Sequence, residues 1–592
     1  MTASAPLGIL PEWNLADLYA APDAPEFAAD LKRGEAEAKA FAEKYRGKLA
    51  SLDGAQLAEA LKAYEALSDL LGRPASYAQL YYVGDTTDPA RGKLYGDVNA
   101  KLTEISTLLL FFELELNRID EQALETAMQV PALAHYRPWI ENLRMERPYQ
   151  LDDKLEELFL EKSQTSFSAF NRLYDESMAA LRFEVNGEKL TLEPTLNLLQ
   201  DKDEAKRKAG AEALAKTFAE NLKLFTLITN TLAKDKDISD RWRGFKDIAD
   251  ARHLSNRVEP EVVAALVAAA RAAYPKLSHR YYRMKAKWLG KDKLRHWDRN
   301  APLPAEDTRQ VPWADAEKIV LKAYGEFAPE MAAIAKKFFD KRWIDAPVRA
   351  GKAPGAFSHP TVPSSHPYVL LNYLGRTRDV MTLAHELGHG VHQVLAKEQG
   401  ALMASTPLTL AETASVFGEM LTFQALLRET TDPRKRKALL ASKVEDMINT
   451  VVRQIAFYTF EHKVHTARKE GELTPDKINA IWLEIQGESL GDGVALGPGY
   501  ETFWTYIPHF IHSPFYVYAY AFGDCLVNSL YARYRESAHG FQEKYFAMLK
   551  AGGSKHHSEL LKPFGLDASD PKFWDKGLSV ISGMIDELEK MN

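Results

Sequence analysis

The sequence predicts a mainly α-helical fold, and three observations predict it. Long stretches rich in Ala, Leu, Glu and Lys space their apolar residues three and four apart. Asp, Ser and Pro punctuate these stretches where helices start and stop. Only two short stretches read as strand. The chain has 592 residues, 46% hydrophobic and 27% charged, which is a globular composition long enough for several domains and a large core.

Taken in order, APEFAADLKRGEAEAKAFAEKYRGKLASLDGAQLAEALKAYEALSDLLG, ARGKLYGDVNAKLTEISTLLLFFELELNRI and LDDKLEELFLEKSQTSFSAFNRLYDESMAALR all carry the helical texture. RFEVNGEKLTL, from Arg182 to Leu192, then alternates around Asn186-Gly187, a strong short hairpin signal. EPTLNLLQDKDEAKRKAGAEALAKTF returns to helix. A division is therefore expected at the hairpin, with a helical N-terminal region over 1–192 and a larger region over 193–592. The second strand-like stretch is GAFSHPTVPSSHPYVLLNYLG, from Gly355 to Gly375. Its run YVLLNYL directly precedes another helix and could offer an edge along which an extended peptide pairs.

Several function classes are disfavoured. Net charge is −7, from 75 basic and 82 acidic residues, without the basic excess of a nucleic-acid binder. Cys525 is the single cysteine, so no intrachain disulfide or Cys-rich zinc knuckle forms, and it reads as a small core residue. The apolar run TLLLFFELEL is broken by Glu113 and Glu115, and no run reaches the ~18 residues of a membrane span. The first residues lack the basic-then-apolar pattern of a secretory leader, so a cytoplasmic protein without membrane partners is expected. The sequence carries no signal of oligomeric state.

The chemistry concentrates in TLAHELGHGVH, Thr382 to His392. On a helix, His385 and His389 lie one turn apart on one face and can grip one metal ion. Glu386 sits beside that ion, where a general base for an activated water belongs. With 16 histidines in 592 residues, only about 0.03 chance occurrences of HExxH are expected. A third ligand is still needed. A third histidine six residues on is excluded, because position 395 is Leu395 and the glycine expected at 392 is His392. The alternative is an acid on a following helix. After Ser405-Thr406-Pro407, the stretch LTLAETASVFGEMLTF places Glu412 in its second turn and Glu419 seven residues later on the same face. A buried acid needs a partner, so Glu412 is read as the third ligand and Glu419 as the carboxylate that orients a ligand histidine. His392 shares the face but lies about 10 Å from His385 along the axis, and reads as a wall or core residue.

HELGH followed by AETAS, together with LPEWNLADLY, HPYVLLNYLGRTRDVMTLAHELGHGVH and IPHFIHSPFYVYAYAFGD, resembles the thimet-oligopeptidase-like zinc metallopeptidases, and most nearly their oligoendopeptidase F branch. The resemblance implies a helical ellipsoid with a deep central substrate channel, a small β element near the active site, one Zn2+ per chain, and activity on short peptides. It also implies His385, His389 and Glu412 as zinc ligands and Glu386 as base, the positions reached above from the residues. The run RHWDRNAPL, residues 295–303, resembles a family segment too, and no chemistry is attached to it.

A late stretch, GDGVALGPGYETFWTYIPHFIHSPFYVYAYAFG, opens on hinge-like glycines and ends in His509, His512, Tyr516, Tyr518 and Tyr520. These groups could donate hydrogen bonds to an oxyanion. The resemblance gives that role to one histidine and two tyrosines. Spacing from His509 favours Tyr518 and Tyr520 and leaves Tyr516 open. Tyr516, His512 and His366 are candidate substrate-binding residues, while His359, His462 and His465 read as structural. The expected function is a zinc metalloendopeptidase cutting inside short oligopeptides, with 193–592 catalytic. Two rivals stand: a metallocarboxypeptidase, for which Arg376 or Arg378 could grip a C-terminal carboxylate, and a non-catalytic peptide-binding scaffold, which would have no use for Glu386.

Overall fold

A computed structural model describes residues 7–303 and 310–591. Helices dominate, with only short strands among the described residues. The chain forms two compact units. The first comprises Met1–Arg147, Thr308–Glu429 and Arg533–Leu566, and the second Pro148–Asp307, Thr430–Ala532 and Asp567–Asn592.

In the first unit, helices α1 (Pro25–Tyr45), α2 (Gly54–Val83) and α3 (Pro89–Arg118) begin at the signals the sequence carries. Pro25 and Pro89 occupy first-turn positions, where a missing N–H costs nothing. Asp53 and Gln56 cap α2 reciprocally. Phe41, Leu61, Ile105, Phe112 and Leu116 form the shared core of these helices. Each such side chain stabilises the fold by about 1.5–3 kcal/mol. The two acids that interrupt the apolar run of α3 have partners: Glu113 accepts from the Tyr64 hydroxyl at 2.8 Å, and Glu115 from the Gly47 amide at 2.6 Å.

Helices α4 (Trp313–Phe327) and α5 (Pro329–Asp340) follow, then a sheet of three short strands, β1 (Ile344–Asp345), β2 (Phe357–His359) and β3 (Tyr368–Leu370). The order is β1-β3-β2, with β3 parallel to β1 and antiparallel to β2. The run YVLLNYL, expected to provide a free edge, is instead central. Its Tyr368, Val369 and Leu370 are fully buried, which suits a strand paired on both sides. The outer strands are β1 and β2. Next comes α6 (Thr377–Ala396), whose Val380, Leu383, Ala384, Leu387 and Val391 are all fully buried, as the helical period requires. The Asp379 carboxylate accepts from the Leu374 and Arg376 amides, both at 2.9 Å, and closes its N-terminus.

The second unit holds the hairpin, Phe183–Val185 paired with Glu188–Leu190. Asn186 and Gly187 have φ of 52° and 87°, the left-handed pair that a two-residue turn demands. The helix Glu204–Arg243 runs 40 residues from an Asp203 cap to Gly244. Leu294–Arg295 pairs in parallel with Val494–Ala495. Cys525 is fully buried, and burial pushes its thiol up. Among the described residues, no helix is long and apolar enough to cross a membrane.

Candidate metal centre

His385 and His389 project from α6 with ring centroids 5.0 Å apart, set edge to face at 78°. Glu412 meets them from the next segment, but not from within a continuous helix. The sequence expectation placed it in a second turn; the structure breaks that helix into Leu408–Ala411 and α7 (Ser415–Glu429), with Glu412 in the turn between. Local bonds favour the turn: the Thr413 hydroxyl donates back to the Leu410 carbonyl at 2.7 Å, and the Ser415 hydroxyl donates to the Glu412 carboxylate at 2.6 Å. The Tyr545 hydroxyl holds the Thr413 carbonyl at 2.9 Å. Gly388, between the two histidines, lets this turn come close, because a Cβ there would lie 2.4 Å from the Ala414 carbonyl oxygen and 2.6 Å from the Ser415 Cα.

The result is one converging donor set. His385 Nε2 and His389 Nε2 stand 3.3 and 3.5 Å from Glu412 Oε2, and one donor atom from each residue lies within 4.8 Å of the others. Ligands about 2.0–2.1 Å from a tetrahedral ion stand about 3.4 Å apart, so the three donors fit zinc in both chemistry and spacing. His385 Nδ1 lies 3.1 Å from Glu419 Oε2. With a metal bound, that bond would keep the ring proton on Nδ1 and leave the Nε2 lone pair to the shared site. Tyr324 supports the arrangement from α4: its hydroxyl donates to the Ala384 carbonyl, and its ring packs where Gly418 has no side chain.

Electrostatics separates these groups. Burial pushes His385 down, but hydrogen bonds to Glu412 and Glu419 overcome it and hold the imidazole well above its usual value. Burial lowers His389 to about 4. Burial alone would raise Glu412; the bond to His385 and the charge of both histidines hold it at about 2 instead. Glu386 is 7% exposed, and burial raises it to about 7, with Ser358 on β2 acting weakly in the opposite sense. β2 is tied to α6 by Ser358 and Gln393, which exchange hydrogen bonds at 2.8 and 3.1 Å.

The model of peptidase family M3 matches residues 197–580, and that of oligopeptidase F matches residues 115–183. The chain belongs to peptidase family M3. Among curated relatives of this M3 peptidase, the oligopeptidase PepF of Bacillus subtilis is 29% identical over 93% of the chain and 82% of its own length. An oligoendopeptidase F homolog of Borreliella burgdorferi is 26% identical over 98% of each. Two solved structures share the fold: a putative peptidase from Chlamydophila abortus, with TM-score 0.84, 23% identity and 98% of each chain covered, and an oligoendopeptidase-F from Enterococcus faecium, with TM-score 0.71, 23% identity, and 96% of this chain and 97% of that one covered.

The other residues singled out in the sequence of this M3 peptidase divide clearly. In the first unit, His392 is buried, lowered by that burial to about 4, and lies 3.4 Å from the Thr406 hydroxyl, apart from the three donors. His366 has both ring nitrogens engaged, by Asp17 at 2.9 Å and the Pro367 carbonyl at 3.1 Å, and stacks on Trp343. His359 takes the Thr361 amide on Nδ1 and faces Gln79 with Nε2. In the second unit, His512 pairs with Asp175 at 2.8 Å. His509 Nε2 lies 3.3 Å from the Tyr520 hydroxyl, and the Tyr516 and Tyr520 rings pack 5.2 Å apart beside it. Tyr518, favoured by spacing, lies elsewhere. It is fully buried, and its hydroxyl accepts from Asn256 at 2.9 Å and bonds His253 at 3.1 Å. One residue escaped the sequence reading altogether. Glu461 is buried on the helix Gln454–Glu470 and accepts from the amide of Phe515, which is held at φ 60° just before Tyr516. An acid inside the apolar run IAFYTFEHKVH was the available signal.

Proposed function

We propose that this metallo-endopeptidase of oligopeptides works through a single zinc ion held by His385, His389 and Glu412, with Glu386 as its general base. The donor spacing of 3.3 and 3.5 Å carries the reading. Zinc bound there supplies Lewis acidity to a water and to the scissile carbonyl. The Glu386 carboxylate accepts the water proton as the oxygen attacks, then delivers it to the leaving amine. Glu419 keeps the proton of His385 on Nδ1 through both steps. The outer edge of β2, whose residues are half-buried beside Glu386, is where an extended peptide would add as a strand. Within the second unit, the rings of His509, Tyr516 and Tyr520 stand together with His509 Nε2 beside the Tyr520 hydroxyl, so hydrogen-bond donation from the 509–520 run falls to this group rather than to Tyr518, whose hydroxyl is buried and bonded. A single buried cysteine fits a cytoplasmic setting.

Glu386→Gln tests the assignment. It should bind zinc as the wild type does and lose at least ~100-fold in turnover. Mass spectrometry of short peptides, with and without a zinc chelator, should show chelator-sensitive internal cuts. Losses confined to C-termini would identify a carboxypeptidase instead, and a zinc-loaded Glu386→Gln with near-wild-type turnover would remove Glu386 from the mechanism.

A further inference from the structure

The run RHWDRNAPL, to which the sequence attaches no chemistry, lines a cavity of about 210 Å³ lying wholly within the second unit. Three of its lining residues carry buried N–H donors without an acceptor: Trp297 Nε1, Arg299 Nε and Arg453 Nε. A buried donor left unpaired costs about 1–3 kcal/mol, and more on a charged group. Two guanidinium charges at one cavity also call for a counter-charge.

The neighbouring acids are already committed. Asp298, next to Arg299 in sequence, is fully buried and pairs with Arg207 at 2.8 Å and Lys291 at 2.7 Å. Glu445 is taken by Lys285 and by the Tyr281 hydroxyl. Among the described residues, neither Arg299 nor Arg453 forms an ion pair. Arg453 donates from Nη2 to the Tyr506 hydroxyl at 3.2 Å, and Arg299 interacts with the Tyr500 hydroxyl; both tyrosines also line the cavity. His296 adds no positive charge near neutral pH, because burial, and secondarily the charge of Arg299, lower it to about 4. Among the described residues, the exposed Glu193 is the one carboxylate lining the cavity, so two positive charges face one negative there.

We propose that this cavity binds a small singly charged anion, a halide or a carboxylate, through Arg299, Arg453 and the Trp297 indole N–H. One negative charge balances the lining, and guanidinium and indole N–H donors suit a halide or the two oxygens of a carboxylate. The site is independent of the metal chemistry proposed above.

Thermal unfolding of the zinc-loaded enzyme tests it, at constant ionic strength, with chloride or acetate replacing a bulky sulfonate. The melting temperature should rise saturably with chloride or acetate. The half-saturating concentration should be at least tenfold higher in Arg299→Gln and Arg453→Gln. If either fails to fold, Trp297→Phe keeps the ring, loses one donor and should weaken anion binding severalfold. Peptides with free and amidated C-termini, compared without chloride, separate the two sources of a carboxylate. Stabilisation by the free terminus alone, diminished in Arg299→Gln, identifies the ligand as a peptide end; a response to chloride or acetate alone identifies a free ion. A melting temperature that does not depend on which anion is present, or that responds equally in the variants, would mean a cavity holding only water and would overturn the proposal.

Discussion

Glu419 and Glu461 are both acids on helices with largely apolar neighbours, and their partners set different consequences. Glu419 faces His385 Nδ1 at 3.1 Å, so its loss would free the ring to rotate and to move its proton. Glu419→Ala should weaken zinc binding about 10–100-fold, with Glu419→Gln closer to wild type, measured by competition with a chromophoric chelator. Unchanged affinity in Glu419→Ala would show that Glu419 does not orient the ligand. Glu461 has one amide partner, and burial raises its carboxyl to about 8; Arg252 and Lys236 oppose this only in part, and the nearby His465 is held neutral, lowered by burial to about 3. Because the folded value lies above the unfolded one, the protonated carboxyl contributes fully below pH ~4.5, and the contribution is lost as pH rises through about 8. Across that window the wild type should lose about 1.4 kcal/mol per pH unit relative to Glu461→Gln, read as a widening gap in melting temperature. Parallel pH profiles would mean that Glu461 is ionised in the fold.

At the scale of elements, the metal site depends on how closely the turn after Leu408–Ala411 approaches α6. Gly388 sets that approach, because any side chain there meets backbone rather than a movable side chain. Gly388→Ala should therefore destabilise the protein by about 1–3 kcal/mol and lower zinc affinity at the same time, since the displaced turn carries Glu412. Chemical denaturation and metal analysis read the two effects, and a variant with normal stability and normal zinc content would contradict the packing argument. The helices, the hairpin at Asn186-Gly187 and the HELGH helix were legible in the sequence because their signals are local. The break at Glu412 was not, since LTLAETASVFGEML has an unbroken helical period. Contacts with Gly388 and Tyr545 stabilise a turn that propensity alone would not select. The strand run YVLLNYL was legible as a strand, but its central position depends on pairing with Ile344–Asp345, which lies outside that run.

At the scale of the whole molecule, every proposed zinc ligand and its orienting acid belong to the first unit. Removing zinc should therefore loosen that unit selectively. Hydrogen exchange with and without a chelator should show lost protection over 377–396 and 408–429, and none over the hairpin or the helix Gln454–Glu470 of the second unit. Equal loss across both units would mean that metal stabilises the molecule as one cooperative body.

The sequence by itself determined the helical class, the helix that presents two histidines one turn apart, the acid that joins them, and the membership that follows from these motifs. Each is written in spacings of a few residues or in the kinds of side chain present. Tertiary structure alone decided that Glu412 sits in a turn, that Tyr516 rather than Tyr518 stands with His509 and Tyr520, that Glu461 holds the Phe515 amide, and that Arg299 and Arg453 open on one cavity. Those facts depend on segments far apart in the chain packing together, and no local period encodes which buried polar groups then meet a partner.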